Sequence, residues 1–110
     1  MGEEIRVTDP KTGGQKGRKD EEYAYIPPLA LAEIAKVYGY GAKKYEPRNM
    51  EKGYSWSLSF SAMMRHTWAF WRGEDRDPES GLYHLAHAGW HILTMLDFLL
   101  RGRGTDDRSK

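Results

Sequence analysis

The 110-residue chain reads as an all-α fold: one small domain of three main helices preceded by an irregular basic arm. Three observations predict it. Apolar residues recur at helical spacing in three segments, each bounded by proline, glycine or aspartate punctuation. No segment shows the alternation of a half-buried strand. All four histidines lie in the second half of the chain, and three of them fall in register on the last helix. The organisation that follows is a basic irregular arm over residues 1–25, a helical domain over 26–101 and a loose tail over 102–110.

The arm is polar and rich in Gly and Lys, with no apolar period. Pro27 and Pro28 mark the start of the first helix, where proline is tolerated, and Leu29, Leu31, Ile34, Val37 and Tyr38 carry its period. Gly39 and Gly41 are expected to interrupt or kink it, since paired glycines weaken a helix. A loop with Pro47, Arg48, Asn49 and Gly53 leads to the second helix at about 57–71, with Ser55 or Ser57 as cap. Leu58, Ala62, Met63, His66, Ala69 and Phe70 mark its expected inward side. Asp77 is a good N-cap for the third helix, with Pro78 at the first helical position and Leu100 near its end. Its leucine stripe (Leu82, Leu85, Ile92, Leu93, Leu96, Leu99, Leu100) has the near-heptad spacing of a helix–helix seam. Three such helices do not enclose a core well alone, so a homo-oligomer is expected to complete the bundle.

Composition narrows the function classes. A net charge of +1 gives no global basic field, so no nucleic-acid partner is expected. The absence of cysteine excludes disulfides, thiolate zinc sites and a cysteine nucleophile. No stretch is long and apolar enough for a membrane span or a signal peptide, which makes a cytoplasmic protein the expectation. Seven Tyr and four Trp are many for this length, and suit a core, an interface or stacking on a base.

Two constellations carry chemistry. His84, His87 and His91 stand at i, i+3 and i+7, within one arc at about 100° per residue, with Ser80 and Thr94 on the same arc. The leucine stripe points almost the opposite way. His66 would face this group if the second and third helices pack antiparallel, as their short connection favours. These four histidines are the candidate catalytic residues, able to act as acids, bases or phosphate donors near neutral pH. Glu74, Asp75 and Asp77 precede them and offer the hard oxygen ligands that Mg²⁺ or Mn²⁺ prefers. The second constellation is basic and aromatic: Lys44, Arg48 and Arg65 suit phosphate oxygens, Asn49 a base or sugar edge, and Tyr45 or Trp56 stacking. Lys16 and Arg18, in the Gly-rich run Thr12–Lys19, suit polyphosphate as well. That run is not a Walker-type loop, because no strand is predicted before it and no Gly-Lys-Ser/Thr ending is present.

Taken together, the run Thr12–Lys19, Ile26-Pro27-Pro28, the segment Tyr38–Tyr45, Arg48-Asn49, Arg65-His66, Gly73-Glu74-Asp75, Asp77–Gly81 and His84–His91 resemble the phage-associated dATP/dGTP diphosphohydrolase N-terminal domain family, over roughly residues 5–101. That family is associated with the all-α nucleotide pyrophosphohydrolases of the MazG type. The resemblance implies hydrolysis of purine deoxynucleoside triphosphates to monophosphate and pyrophosphate, assisted by Mg²⁺ or Mn²⁺. MazG-type enzymes hold metal with helical carboxylates in Glu-x-x-Glu and Glu-x-x-Asp pairs, yet here His84 and His87 stand where the Glu-x-x-Asp pair would be. Three outcomes are open: the acidic turn supplies the ligands, the ion is a softer one, or the chain binds its nucleotide without hydrolysing it. A purely structural domain, its histidines an intersubunit network, is a further reading.

Overall fold

The computed structural model describes residues 4–110, and the first three residues of the arm lie outside the described residues. In chain order the elements are strands β1 (Ile5–Thr8) and β2 (Gln15–Arg18), a 3-10 turn at Tyr23–Tyr25, helix α1 (Pro28–Lys44), a second 3-10 turn at Asn49–Lys52, and helices α2 (Trp56–Trp71) and α3 (His84–Arg101).

Helices dominate as the sequence predicts, but the all-α reading needs a correction. The arm holds an antiparallel hairpin, with Ile5 opposite Arg18 and Thr8 opposite Gln15. Asp9 shapes its turn, its carboxylate accepting from the amides of Lys11 (2.8 Å) and Thr12 (2.9 Å). The hairpin escapes a periodicity argument because nearly every residue on both of its faces is exposed, so neither face requires apolar side chains.

The break expected at Gly39 and Gly41 does not occur, and α1 runs through both. Each glycine costs about 1 kcal/mol relative to alanine, and packing on α3 offsets this. Val37 is buried, the Tyr38 hydroxyl lies 3.1 Å from that of Thr94, and the Tyr38 ring is 5.4 Å from that of Trp90. Gly89 permits the contact, since a Cβ there would stand 2.7 Å from Ile34 Cδ1.

Helix α2 starts at Trp56 with Ser55 at the N-cap, but the Ser55 side chain makes no capping bond. The bond comes from the far end of the chain. Asp107 accepts from the Ser57 amide (3.0 Å) and hydroxyl (2.5 Å). The tail, read from sequence as loose, continues this contact: the Trp56 indole donates to the Arg103 carbonyl (2.8 Å) and the Trp56 amide to the Thr105 carbonyl (3.0 Å). Gly104, at φ 72°, passes so close to Tyr54 that a Cβ would run into its carbonyl.

Helix α3 begins later than its cap signal suggests. Asp77 caps a tight loop instead: its amide donates to the Leu82 carbonyl (2.8 Å), its carbonyl accepts from Gly81 (2.7 Å) and its carboxylate from the Ser80 amide (3.2 Å). The helix proper starts at His84, so Ser80 reaches the histidines from a loop and not from the helical arc.

The largest departure concerns which face of α3 turns inward. The helix packs chiefly on α2 and secondarily on α1. The buried side is the polar one, with His84 at 4 % and Thr94 at 2 % exposure, while Leu85 and Leu96 of the stripe stand at 47 % and 48 %. On α2, likewise, Ser59 is fully buried and Leu58, expected inside, is exposed. The apolar core is correspondingly small: Val37, Ala62, Ala86, Ala88 and Phe98. Among the described residues no helix is long and apolar enough to cross a membrane.

Replacing Asp107 with Ala should lower stability, because the Ser57 amide at the start of α2 loses its acceptor. A urea midpoint followed by tryptophan fluorescence measures this, and an unchanged midpoint would show that the tail does not hold α2.

Candidate functional site

The four candidate histidines do converge, in the seam between α2 and α3. The rings of His66 and His87 are stacked at 4.5 Å and 8°, with His91 at 6.2 Å and His84 at 5.2 Å from His66. Each ring is tied to a partner. His84 bonds Glu74 through Nε2 (2.7 Å) and His66 through Nδ1 (2.9 Å). His87 Nε2 meets the Ser80 hydroxyl at 2.7 Å, and His91 Nδ1 meets that of Ser59 at 2.9 Å. Ser59 in turn contacts the Tyr54 hydroxyl at 2.5 Å.

Crowding of like groups in a half-buried seam disfavours the imidazolium form. Burial, with His87 and His84 alongside, lowers the pKa of His66 to about 4. Burial, with His66 and His87 alongside, lowers that of His91 to about 4. His87 is lowered as well, chiefly by burial, against the pull of nearby Asp77. Asp77 keeps its charge: burial works against it, but hydrogen bonds from Ser80 outweigh that and hold it below the usual carboxylate range. At neutral pH His66, His87 and His91 therefore present neutral imidazoles.

Next to the cluster opens a cleft of about 420 Å³, walled by α1, the 46–50 loop, the start of α2, and α3. Tyr38, Tyr45, Tyr54 and Trp90 give it aromatic walls, Arg48 and Asn49 stand on its lining, and His91 belongs to both the cleft and the cluster. Arg48 holds φ 62°, the sole positive φ among described non-glycine residues. That left-handed geometry costs about 1–2 kcal/mol and falls at the cleft lining, where strain is characteristic of a working site.

The other sequence candidates divide. Tyr45, Arg48 and Asn49 line the cleft. Lys44 lies near it, with Nζ 3.1 Å from Glu79, which raises its pKa. Arg65 is close enough to His66 and His91 to depress their protonation. Trp56 is engaged by the tail, its ring 5.1 Å from the Arg108 guanidinium. Lys16 and Arg18 sit on the hairpin and do not line the cleft, Arg18 being paired with Glu22 at 3.0 Å. Tyr38, Tyr54, Ser59 and Trp90 had no signal of their own: Tyr38 reads as part of an apolar period, and Trp90 lies off both the histidine arc and the leucine stripe.

The acidic trio does not converge. Glu74 is bonded to His84, Asp77 lies 3.7 Å from His87, and Asp75 lines a separate groove with Phe70 and Tyr83. Among the described residues no three His, Asp or Glu groups meet as they would around a metal ion. Mg²⁺ takes near-octahedral oxygen ligands, so the donor set of this single chain does not fit one.

The buried neutral histidines make stability depend on pH. Their folded pKa values lie below the unfolded value of 6.5, so the unfolded state binds more protons in between. Stability should be fully present above that value and fall as pH drops from about 6.5 toward about 4. Urea midpoints across pH test this, and replacing His66 and His91 together by Gln should flatten the slope.

With this geometry in hand, comparison with known proteins places the chain. A family model described as dATP/dGTP diphosphohydrolase, N-terminal, matches residues 10–108. A dATP/dGTP diphosphohydrolase of Salmonella phage PMBT28 is 33% identical over 82 residues, which is 74% of this chain and 28% of that protein. No solved structure matches. The matched span takes in both the cleft and the histidine cluster, and the chain belongs to the dATP/dGTP diphosphohydrolase N-terminal family.

Proposed function

We propose that the chain binds a purine deoxynucleoside triphosphate, with the base in the aromatic cleft and the polyphosphate passing His91 toward the cluster, and that it takes part in hydrolysis to monophosphate and pyrophosphate. The observation that carries this reading is the sharing of His91 between cleft and cluster. The cleft volume suits a small-molecule ligand, and its walls combine stacking rings with a few polar groups, as such sites do. Arg48 lines the cleft, Arg65 stands near His66 and His91, and Lys44 near His87, so the charge that meets the phosphates comes from these cations and not from the neutral rings of His66, His87 and His91. The family, and the name of the phage relative, support the same substrate class.

The test is incubation of the protein with dATP, dGTP, ATP and GTP, with Mg²⁺, with Mn²⁺ and with chelator, the products being resolved by chromatography. Monophosphate and pyrophosphate are the expected products. Intact nucleotide recovered from heat-treated protein would replace hydrolysis with sequestration, and the absence of any nucleotide effect on thermal stability would remove both. Tyr45→Ala should weaken dATP binding about tenfold, the scale of one lost base–aromatic stack, as read by calorimetry.

The exposed stripe of α3 supports the further proposal that the chain works as a homo-oligomer. Leu93, Leu96 and Leu100 stand exposed on one helix while Phe60 and Trp68 stand exposed on another, more apolar surface than a solitary small domain ordinarily leaves open. Leu96→Glu should reduce the sedimentation coefficient to that of a monomer. If the native chain already sediments as a monomer, the proposal fails.

A further inference from the structure

Two chains of hydrogen bonds end on neighbouring imidazoles, and each determines which nitrogen of its ring carries the proton. The first starts at Glu74, whose carboxylate only accepts and so takes the bond from Nε2–H of His84 at 2.7 Å. If that is its only proton, His84 has a bare Nδ1. The 2.9 Å contact between the two Nδ1 atoms is a hydrogen bond only if His66 donates its Nδ1–H. His66 is left with a bare Nε2, which has no hydrogen-bond partner among the described residues.

The second chain starts at Tyr54. A phenol is a better donor than an alkyl hydroxyl, and burial raises the Tyr54 pKa, so the ring keeps its proton. Tyr54 donates to Ser59 over 2.5 Å, and the fully buried Ser59 hydroxyl donates onward to Nδ1 of His91 over 2.9 Å. The proton of His91 therefore sits on Nε2.

We infer that these two chains hold His66 and His91 in opposite tautomers, giving the site a bare ring nitrogen and a fixed N–H on adjacent rings 6.2 Å apart. The roles that follow rest on the nucleotide reading. His91, on the cleft wall, donates its Nε2–H to a phosphate oxygen beside the base and keeps that proton. His66 holds the attacking water at its bare Nε2. As the water oxygen bonds to the α-phosphorus, its proton passes to His66, and the bond from that phosphorus to the bridging oxygen breaks. Pyrophosphate leaves with the electron pair, and His66 returns the proton to solvent. Burial makes the resting His66 a weak base, and the negative charge of a seated polyphosphate raises its proton affinity again. The base is thus strengthened by the substrate it serves. Glu74, His84, Ser59 and Tyr54 act as positioning residues.

Two-bond ¹H–¹⁵N correlation spectra of the labelled full chain, without nucleotide and near neutral pH, read the tautomers directly. His66 should show a protonated Nδ1 and a bare Nε2, and His91 the reverse. Like tautomers on both rings, or the reversed pair, would overturn the inference; the reversed His66 would mean that His84 carries two protons. Ser59→Ala should turn His91 into a tautomer mixture while His66 keeps its signals, Ser59→Thr should restore His91, and Glu74→Ala should release His66 alone. An unaltered spectrum in Ser59→Ala or Glu74→Ala would overturn the corresponding chain. Each alanine variant should also lower kcat about fivefold with KM little changed, the effect of one hydrogen bond of about 1 kcal/mol. Expected tautomers in a chain that neither binds nor hydrolyses dATP would leave the tautomer pair standing and sink the nucleotide reading instead.

Discussion

The structure depends on a polar seam. Where α2 meets α3 the chain buries imidazoles and hydroxyls in place of leucines, and a buried polar group without a partner costs about 1–3 kcal/mol. Each of these groups is accordingly matched: His84 by Glu74, His87 by Ser80, His91 by Ser59, Thr94 by Tyr38. Those pairings account for much of the local architecture. The turn after α2 must return Glu74 to the seam, the 77–82 loop must bring up Ser80, and α1 must remain one helix through its glycines so that Tyr38 can reach Thr94. Satisfaction of polar groups, and not apolar volume, sets the shape of this small domain.

This explains what could be read from the sequence. The three helices were legible from periodicity, and the histidine arc from spacing alone. The inward face of α3 was not, because hydrophobic patterning assigns leucine to the inside, and here the constraint runs the other way. The cap of α2 was hidden for a different reason: Asp107 lies 50 residues from Ser57, and no local signal joins them. The hairpin was invisible because exposed strands need no pattern. Tyr45, Arg48 and Asn49, singled out by chemical type, line the cleft, while Tyr54 and Ser59 join the candidate site only through contacts that the fold creates. The acidic turn was legible as a cluster, but its members diverge in space: two serve histidines and the third faces a different groove.

For the nucleotide ligand proposed above, the electrostatic design is unusual. His66, His87 and His91 are neutral at physiological pH, and Lys44, at the margin, is partly neutralised by Glu79. Long-range attraction is therefore modest, in keeping with a chain of net charge +1. On that proposal discrimination falls to directed hydrogen bonds and ring stacking, which depend on geometry more than on ionic strength.

That geometry traces back to an absent side chain. At Gly89 the α3 backbone meets Ile34; Tyr38 lies one turn beyond Ile34 on α1, and its ring packs at 5.4 Å against that of Trp90, the residue after Gly89, both rings lining the cleft. The hydrogen atom of Gly89 thus sets the spacing of the two helices: a methyl group there would push Ile34 and α1 outward and loosen the packed rings. The shape of the cleft can thus be altered from a position that does not line it, by resetting the distance between two helices.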